Sequence, residues 1–484
     1  MTAGLGFALP AVPLLVALVG LLLPRRSRAA AAALGVAGAA GALVIAVVLL
    51  VRLDEPVTAG RRWIDMGGLE VTLSVRLDPT AALVAVAVGA VALAVQVYSI
   101  AYLHDDDRYA PYAAQVSLFT AAMLTVVVAG DLIMLLVGWE VMGICSYLLI
   151  AHDRTLPEAP AAAVKAFLVT RVGDVGFLLG IALLGISAGT FSIERVLADL
   201  PGTATLTVAG LLLLAGVAGK SAQFPLHTWL PDAMAGPTPI SALIHAATMV
   251  AAGVYVVARL FPVFTAAPAT LAVLGVMAAV TLLLGAFAAT AQEDIKRVLA
   301  WSTVSQLGYM TGALAVGSTS AALFHLLTHA AFKALLFLAA GAVIHAVGTN
   351  LFAGMGGLRA SMPATFWPMA IGLGALAGLP PLAGFWSKEG VLAAARHGEG
   401  PAPAWVGALV WLAALVGVAV TAWYATRLLL RAFFGPSHVD PGVHPHDPPA
   451  AMRWPVLLLA VPSALLGLAV FLPGFRERLD LETV

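Results

Sequence analysis

Residues 211–232, LLLLAGVAGKSAQFPLHTWLPD, place Lys220 at the end of an apolar run and five residues before Pro225. The GKS triplet also occurs in the nucleotide-binding loop G-x-x-x-x-G-K-[ST], whose first glycine lies five positions before the second. In this chain that position is Leu214, and the residues before it are hydrophobic. The stretch is therefore not a phosphate loop. It indicates an apolar helix that carries a lysine and that a proline interrupts.

The whole chain is as apolar as this stretch. Of its 484 residues 61% are hydrophobic and 10% are charged, and the mean hydropathy is +0.99. A soluble domain carries about 25% charged residues, so this composition predicts a multi-pass protein of the lipid bilayer. We expect that bilayer to be the cell (plasma) membrane. The net charge of zero gives no reason to expect a nucleic-acid partner.

Apolar stretches of about 20 residues are long enough to cross a bilayer. They predict an all-α polytopic membrane protein with about fourteen transmembrane helices, the first of which is expected to be a span rather than a signal peptide, because it lacks a basic leader. The predicted spans are 6–23, 29–51, 81–103, 113–130, 131–151, 161–187, 204–224, 238–260, 268–291, 297–316, 319–347, 364–396, 403–433 and 454–473.

Two links between spans are longer and more polar than the others. Residues 52–80 alternate polar and apolar side chains, which favours a small extramembrane hairpin. Residues 434–453 are rich in proline and histidine and are interpreted as a solvent loop. A weak metal site at His438, His444 and His446 is the less favoured alternative, and we expect no metal.

Cysteine content limits the redox chemistry of the chain. Cys145 is the single cysteine, and it lies within an apolar run. One thiol cannot hold an iron–sulfur cluster, a disulfide framework or a structural zinc ion. We therefore expect no cofactor in this chain, and any associated redox reaction must occur in other subunits.

Lysines are few and unusually placed. Twenty of the 25 basic residues are arginine, and every lysine except Lys296 lies within a predicted span. Arginine stays protonated in proteins, whereas a buried lysine can shift its pKa by several units. Lysines inside the membrane can therefore accept and release protons. The five lysines are Lys165, Lys220, Lys296, Lys333 and Lys388.

Acidic residues also occur inside predicted spans, namely Glu140, Asp174 and Glu389. Each costs at least a few kcal/mol in hydrocarbon unless it is paired or hydrated, which favours a functional role. Permanent ion pairs that only join helices are the alternative. This alternative applies best to Arg171 and Asp174, which lie three residues apart on one helix face.

Histidines extend the polar pattern. His325, His329 and Lys333 recur every four residues, so they lie on one helix face over about 12 Å. Histidine suits proton transfer because its ordinary pKa is near 6.5, and His245 could continue the same path. Hydrogen-bonded core histidines are the alternative, whereas zinc is disfavoured because the Glu of H-E-x-x-H is missing.

Two spans are interrupted by prolines in a comparable way. Pro225 follows Lys220, and Pro380 and Pro381 precede Lys388. Proline frees backbone carbonyls, which water or polar side chains must then satisfy. Each broken segment is the fourth of five consecutive spans, which indicates an internal repeat and transport sites. The predicted units are 1–112, a first repeat at 113–260, a second at 268–433 and a last helix at 454–473.

These motifs resemble a known family. The segments 138–150, 165–180, 219–259, 296–310 and 384–392 are similar in order to subunit L of bacterial NADH-quinone oxidoreductase (respiratory complex I) and to its mitochondrial counterpart, subunit 5. Related antiporter-like chains share the fold. The resemblance implies two inverted five-helix repeats, each with a half-channel around a broken helix, joined by a hydrated charged axis.

The resemblance also implies roles for individual residues. Glu140 matches a buried glutamate, Asp174 and Arg171 a neighbouring acid and base, and Lys220 and Lys388 the lysines of the broken helices. His245, His325, His329 and Lys333 match the central relay, Glu389 replaces an acid at the exit, and Lys165 is a supporting residue. Glu140 is expected to pair with Lys220.

The resemblance predicts a proton-translocating membrane subunit of NADH-quinone oxidoreductase that works beside other membrane subunits. NADH, FMN, iron–sulfur clusters and quinone are expected in those partners. Cation/proton antiport and a purely structural scaffold are the alternatives. Subunit L normally continues into a lateral helix and an anchoring span, whereas this sequence stops at FRERLDLETV (475–484), so that helix is expected to be absent.

Overall fold

The computed structural model of the chain describes residues 2–53, 55–398 and 400–481. Three long helices and a hairpin form an N-terminal unit, and the first repeat follows. The N-terminal unit consists of α1 (Thr2–Leu22), α2 (Arg28–Arg52), β1 (Val57–Met66), β2 (Leu69–Leu77) and α3 (Pro79–Tyr102). The first repeat consists of α4 (Tyr109–Val128), α5 (Leu132–Ile150), α6 (Glu158–Ala188), α7 (Ile193–Ala198), α8 (Thr203–Lys220), α9 (Trp229–Asp232), α10 (Thr238–Ala246) and α11 (Met249–Arg259).

The short helix α12 (Phe261–Thr265) leads into the second repeat. That repeat consists of α13 (Pro268–Thr290), α14 (Ile295–Ala315), α15 (Thr319–Val347), α16 (Pro363–Ala377), α17 (Ala383–His397) and α18 (Ala404–Phe433). The chain continues with α19 (Ala450–Leu465), a 3₁₀ turn at Leu466–Phe471 and α20 (Pro473–Leu479).

Within the described ranges, twelve helices are long and apolar enough to cross a membrane, with α10 and α11 counted as one crossing. Helix α14, with 21 residues, and the interrupted pair α16–α17 raise the number of crossings to the predicted fourteen. The predicted fold class is thus confirmed. Because each repeat crosses five times, corresponding spans of the two repeats run in opposite directions.

Both proline-broken helices are present as predicted. Residues 221–228 separate α8 from α9, and residues 378–382 separate α16 from α17. Gly378 ends α16 with a φ of 85°, a left-handed conformation that glycine adopts without a Cβ clash. The exact limits of the two repeats, 113–260 and 268–433, stay a prediction.

A third break was not predicted. The sequence indicated one continuous span over 238–260, but α10 ends at Ala246 and α11 begins at Met249. Thr248 lies outside the helical region, and its hydroxyl donates to the carbonyl of Leu243 at 2.5 Å. This hydroxyl satisfies one carbonyl that the interrupted helix leaves free.

The hairpin predicted within residues 52–80 is confirmed. β1 and β2 pair in antiparallel register, with Val57 opposite Leu77. Gly67 and Gly68 form the turn with φ values of 66° and 100°, which suit a two-residue hairpin loop. Asp131, the N-cap of α5, accepts the backbone N–H and the hydroxyl of Thr72, each at 3.0 Å. The hairpin is therefore fastened to the start of α5.

Burial is greatest at the centre of the bundle. All residues of the 18-residue apolar segment within Thr238–Arg259 are buried, and 83% of those in the corresponding segment within Thr319–Val347 are buried. In α1, α2 and α18 the buried share is 33%. The central helices α10, α11 and α15 are those that carry His245, His325, His329 and Lys333. Their titratable groups are thus enclosed by protein rather than by lipid.

Candidate functional site

Four ionisable side chains from three helices meet beside the first break. Lys220, the last residue of α8, donates from Nζ to Oδ2 of Asp174 on α6 at 3.1 Å. Arg171, one turn earlier on α6, forms an ion pair with Glu140 of α5, and its Nε lies 3.6 Å from the same Oδ2 of Asp174. The formal charges of the four groups cancel.

The expected pairing of Glu140 with Lys220 is wrong. The partner of Lys220 is Asp174, and both side chains are almost fully enclosed, at 0% and 2% exposed. Glu140 and Arg171 lie further out, at 30% and 27% exposed. The spacing of Arg171 and Asp174 by one helical turn lets the guanidinium lie between the two acids, so the cluster has an inner and an outer ion pair.

Helix α5 shapes this cluster through two residues that the sequence analysis did not select. Trp139 donates from Nε1 to Oδ1 of Asp174 at 2.6 Å, and its ring stacks on Phe177 with centroids 4.2 Å apart. A Cβ on Gly143 would lie 2.6 Å from Nζ of Lys220 and 2.8 Å from Nη2 of Arg171. The glycine therefore leaves the space that both cations occupy. Trp139 and Gly143 are four residues apart on the helix of Glu140, which was a usable signal.

Side chains and backbone groups from both repeats surround the first break. Each of the following contacts satisfies a polar group near the interruption, as expected for irregular backbone at membrane depth. The Trp229 indole donates to the Gly219 carbonyl at 2.9 Å, the Phe224 N–H to the Thr281 hydroxyl at 2.9 Å, and the Thr311 hydroxyl to Oε1 of Gln223 at 2.9 Å.

The second repeat holds a continuous set of polar contacts around His325. Its Nδ1 lies 2.9 Å from the hydroxyl of Ser387 on α17, and its Nε2 lies 3.1 Å from Oε1 of Gln306 on α14. Thr328 donates to the same Ser387 hydroxyl at 2.8 Å. The rings of His325 and His329 lie 6.2 Å apart, centroid to centroid. The predicted histidine stripe therefore reaches α17 beside Lys388.

Two of the buried lysines of the second repeat, Lys333 and Lys388, donate to backbone carbonyls. Lys333 donates to the Leu299 carbonyl at 3.0 Å and to the hydroxyl of Ser302. Lys388 donates to the carbonyl of Leu376, at the end of α16, at 2.7 Å. Its Nζ lies 4.9 Å from the centroid of the Tyr309 ring. Among the described residues, neither of these two buried ammonium groups is paired with a carboxylate, unlike that of Lys220.

Glu389 is not brought into this group. Lys388 is buried, whereas the next residue on α17 is exposed. Successive residues on a helix point about 100° apart, so the neighbours in sequence do not face each other. The structure therefore places Glu389 on the outer surface of α17, away from the buried polar contacts.

Several buried polar atoms near the centre lack a hydrogen-bond partner among the described residues. They are Oγ of Ser241, both ring nitrogens of His245 and Nε2 of His329. His245 packs against Phe337 of α15, with ring centroids 4.7 Å apart. Because buried polar groups nearly always have a protein or water partner, this region between α10 and α15 is suited to ordered water.

A polar cavity of about 610 Å³ opens between α6, the α9–α10 link and α14, and we name it the Asp232 cavity. Lys165, expected within the membrane, is 43% exposed at its rim and pairs with Asp232 at 2.5 Å. Lys296, expected in a loop, lies in the first turn of α14 and is 7% exposed. Lys165 thus lies in a candidate span, as expected. Lys296 is more enclosed than the sequence indicated, because tertiary packing rather than local hydropathy encloses it.

Two of the acids that line the Asp232 cavity outside the spans differ in environment. Burial raises the pKa of Asp294, although hydrogen bonds from the α14 backbone oppose the shift. The Thr155 hydroxyl holds the pKa of Asp153 below its usual value. At neutral pH the anionic form of Asp153 is therefore favoured at the cavity.

A family model described as NADH:quinone oxidoreductase/Mrp antiporter, TM matches residues 129–415. The chain belongs to this family. A second family model, for the N-terminus of chain 5 of NADH-ubiquinone oxidoreductase (complex I), matches residues 63–113. The two matches include the hairpin region, the broken helices and every buried charge described above.

Curated members of this antiporter-like family are similar to the chain over most of its length. Subunit L of NADH-quinone oxidoreductase from Mycobacterium tuberculosis (strain ATCC 25618 / H37Rv) is 45% identical over 410 residues, which cover 84% of this chain and 64% of the relative. The same subunit from Neisseria meningitidis serogroup B is 42% identical, with 84% and 64% covered. Chain 5 of NAD(P)H-quinone oxidoreductase from Picosynechococcus is 41% identical, with 86% and 67% covered. The chain thus spans about two thirds of the length of these relatives.

Solved structures support the same architecture. A chain of the Mrp complex from Dietzia superposes with a TM-score of 0.88 at 33% identity, covering 98% of this chain and 52% of that chain. A chain of the membrane-bound sulfane sulfur reductase, an archaeal respiratory membrane complex, has a TM-score of 0.82 at 26% identity and covers 99% and 96%. The antiporter-like fold therefore occurs in complexes with different overall chemistry.

Proposed function

We propose that this chain is a proton-translocating membrane subunit of an NADH-quinone oxidoreductase in the plasma membrane. The observation that carries the proposal is the pairing of Lys220 with Asp174 beside a broken helix, in full burial. A buried ion pair with a titratable lysine can hold a proton in one state and release it in another. The similarity to subunit L and chain 5 supports the choice of complex.

Electrostatics of the four-charge cluster support a switching role. At 3.1 Å the attraction between Lys220 and Asp174 is about 5 kcal/mol for an effective dielectric constant near 20. If Arg171 moves from Glu140 toward Asp174, its charge compensates that carboxylate and repels the ammonium. Lys220 can then release its proton inward. The partly exposed outer pair is the part of the cluster that a neighbouring subunit can reach.

The central groups provide a route for the released proton. Water near Ser241, His245 and His329, together with the His325–Ser387 contact, would connect the first break with the second. Lys388 of the second broken helix lies near the same group, because its Nζ is 4.9 Å from the centroid of the Tyr309 ring and that ring is 5.8 Å from the ring of His325. Neutral histidine can accept a proton on one nitrogen and release one from the other.

Energy for the transport must come from outside this chain. Moving one charge against the membrane potential costs about 2.3 kcal/mol per 100 mV. In the proposed complex the energy comes from electron transfer between NADH and quinone in partner subunits. Those partners would hold NADH, FMN, iron–sulfur clusters and quinone, and this subunit would supply the proton path of the translocase.

Two substitutions at Lys220 test the proposal in the assembled complex in membrane vesicles. Lys220→Met removes the titratable group, and Lys220→Arg keeps a permanent positive charge beside Asp174. We expect both variants to reduce quinone while NADH-driven proton uptake falls. A scaffold role predicts instead that Lys220→Arg restores full uptake, and wild-type uptake in either variant would overturn the proposed function.

Cation/proton antiport is the second candidate, and the similarity to the Mrp complex structure favours it. In this case the same buried groups would exchange Na⁺ for H⁺ without a redox driver. An imposed Na⁺ gradient across vesicles without NADH and quinone should then acidify or alkalinise the lumen. Absence of this response, with NADH-driven uptake intact, excludes the antiporter.

A further inference from the structure

The inner end of the Asp232 cavity holds a buried positive charge. Nζ of Lys296 donates to the carbonyl of Met234 at 2.6 Å and to the carbonyl of Gly236 at 2.7 Å. Both carbonyls belong to the link between α9 and α10 in the first repeat, whereas Lys296 begins α14 in the second. One ammonium group therefore fills the point where two backbone oxygens of the other repeat converge.

Converging carbonyl oxygens are the groups that replace the hydration shell of alkali cations in selective channels. The lining of the Asp232 cavity carries five acidic residues against three basic ones, Lys165, Lys296 and Arg297. A concave site of net negative charge raises the local cation concentration, so the cavity would also attract cations. Its acidic lining residues are Asp106, Asp153, Glu158, Asp232 and Asp294. Without Lys296, the two carbonyls would offer a partial coordination site below an acidic entrance.

The polar groups beyond the Met234 and Gly236 carbonyls are suited to proton transfer. Thr238 begins α10, is buried, and its hydroxyl lies 3.0 Å from that of Tyr102. Ser241 and His245 follow at i+3 and i+7, so the three residues share one face of α10. Hydroxyl groups, an imidazole and intervening water can pass a proton, whereas they provide no carboxylate for a dehydrated alkali cation.

We propose that Lys296 is a specificity-determining residue of the proton path. Its ammonium occupies a cation subsite formed by the Met234 and Gly236 carbonyls. The tethered charge excludes Na⁺ and K⁺ from the inner end of the Asp232 cavity, while protons pass by way of Thr238. This inference rests on the proposed function, and it adds the reason why the acidic cavity does not admit alkali cations.

Removal of the ammonium tests the proposal. Lys296→Met and Lys296→Gln are compared with wild type in the assembled complex in sealed vesicles, with radioactive Na⁺ as the probe and a membrane potential as the driving force. We expect at least a tenfold rise in Na⁺ uptake in both variants, and NADH-driven proton uptake that declines as Na⁺ is added. Lys296→Arg should retain Na⁺ exclusion.

Arg297→Met is the matched control. Arg297 is the next residue, lines the same cavity and is half exposed, with Nη2 3.7 Å from Asp232. Its loss removes the same charge from the entrance but leaves the carbonyl pair occupied, so Na⁺ should stay excluded. The proposal is overturned if assembled complexes with Lys296→Met and with Lys296→Gln both exclude Na⁺ as well as wild type does. It is also overturned if Arg297→Met takes up as much Na⁺ as the neutral Lys296 variants. A wild-type complex that takes up no protons overturns the proposed function instead.

Discussion

Gly143→Ala is the perturbation that tests the geometry of the inner ion pair most directly. The added methyl group would lie 2.6 Å from Nζ of Lys220 and 2.8 Å from Nη2 of Arg171. Because a comfortable separation is about 3.5 Å, the ammonium must withdraw by about 1 Å. The atoms in conflict are the ends of flexible side chains, so we expect α5 to keep its position and the chain to fold.

The displacement weakens the attraction between Lys220 and Asp174. Their distance would grow from 3.1 Å to about 4 Å, which lowers the attraction from about 5 to about 4 kcal/mol at an effective dielectric constant of 20. A loss of about 1 kcal/mol shifts the protonation equilibrium of Lys220 by about fivefold to tenfold. Proton uptake per NADH oxidised should therefore fall clearly, while quinone reduction continues.

The assay follows dye-reported proton uptake and NADH oxidation in the same vesicles. Gly219→Ala is the control, because its methyl group would lie 3.3 Å from the Thr170 carbonyl and 3.5 Å from Cα of Gly173, away from both cations. Gly219→Ala adds the same volume next to Lys220 and should preserve the ratio of protons taken up to NADH oxidised. A wild-type ratio in an assembled Gly143→Ala complex would refute the reasoning, and so would an equal loss in the control.

Three further predictions address other contacts. Ser387→Ala leaves Nδ1 of His325 without its 2.9 Å partner, so the free energy of unfolding should fall by about 1–3 kcal/mol. Proton uptake should fall several-fold, and uptake at the wild-type rate would count against the central route. Glu389→Gln changes an exposed side chain, so proton uptake in the same assay should stay within about twofold of wild type. Lys388→Met removes a buried lysine, and a large loss of proton uptake is expected. Asp131→Ala removes the α5 N-cap and the anchor of Thr72, which should lower the free energy of unfolding by about 1–2 kcal/mol in a thermal melt. Asp131→Asn should recover only the N-cap part of that loss, because an amide nitrogen cannot accept from the Thr72 N–H.

Helix positions could be predicted from the sequence because each crossing needs a long apolar run and prolines mark two of the interruptions. Pro225 and the pair Pro380–Pro381 lie within the observed breaks. The break at Ala247–Thr248 carries neither proline nor glycine, and nothing in the sequence marks it. Local composition therefore identifies the backbone irregularities that a proline imposes, but not one that packing and a threonine hydroxyl maintain.

Residues of the site were easier to select than to pair. Glu140, Asp174 and Lys220 all stand out as charges in apolar segments, but their partners depend on which helix faces meet. Lys296 lies one residue before the predicted span 297–316, and only its contacts with the α9–α10 link show that it is buried. Trp139 and Gly143 carry no charge, so their signal in the sequence is only their position close to Glu140, and the contacts that they make or leave open show what they do in the cluster.

Cys145 has a practical consequence for experiments on this chain. It is the single cysteine in the sequence, and in α5 it is 0% exposed. Thiol-reactive labels require an accessible, deprotonated sulfur, so Cys145 should resist labelling in the folded chain. A cysteine introduced at an exposed position, such as Glu389→Cys or His438→Cys, would then carry a fluorophore or spin label selectively. Motions of α17 or of the 434–453 loop during turnover could be followed without first removing a native thiol.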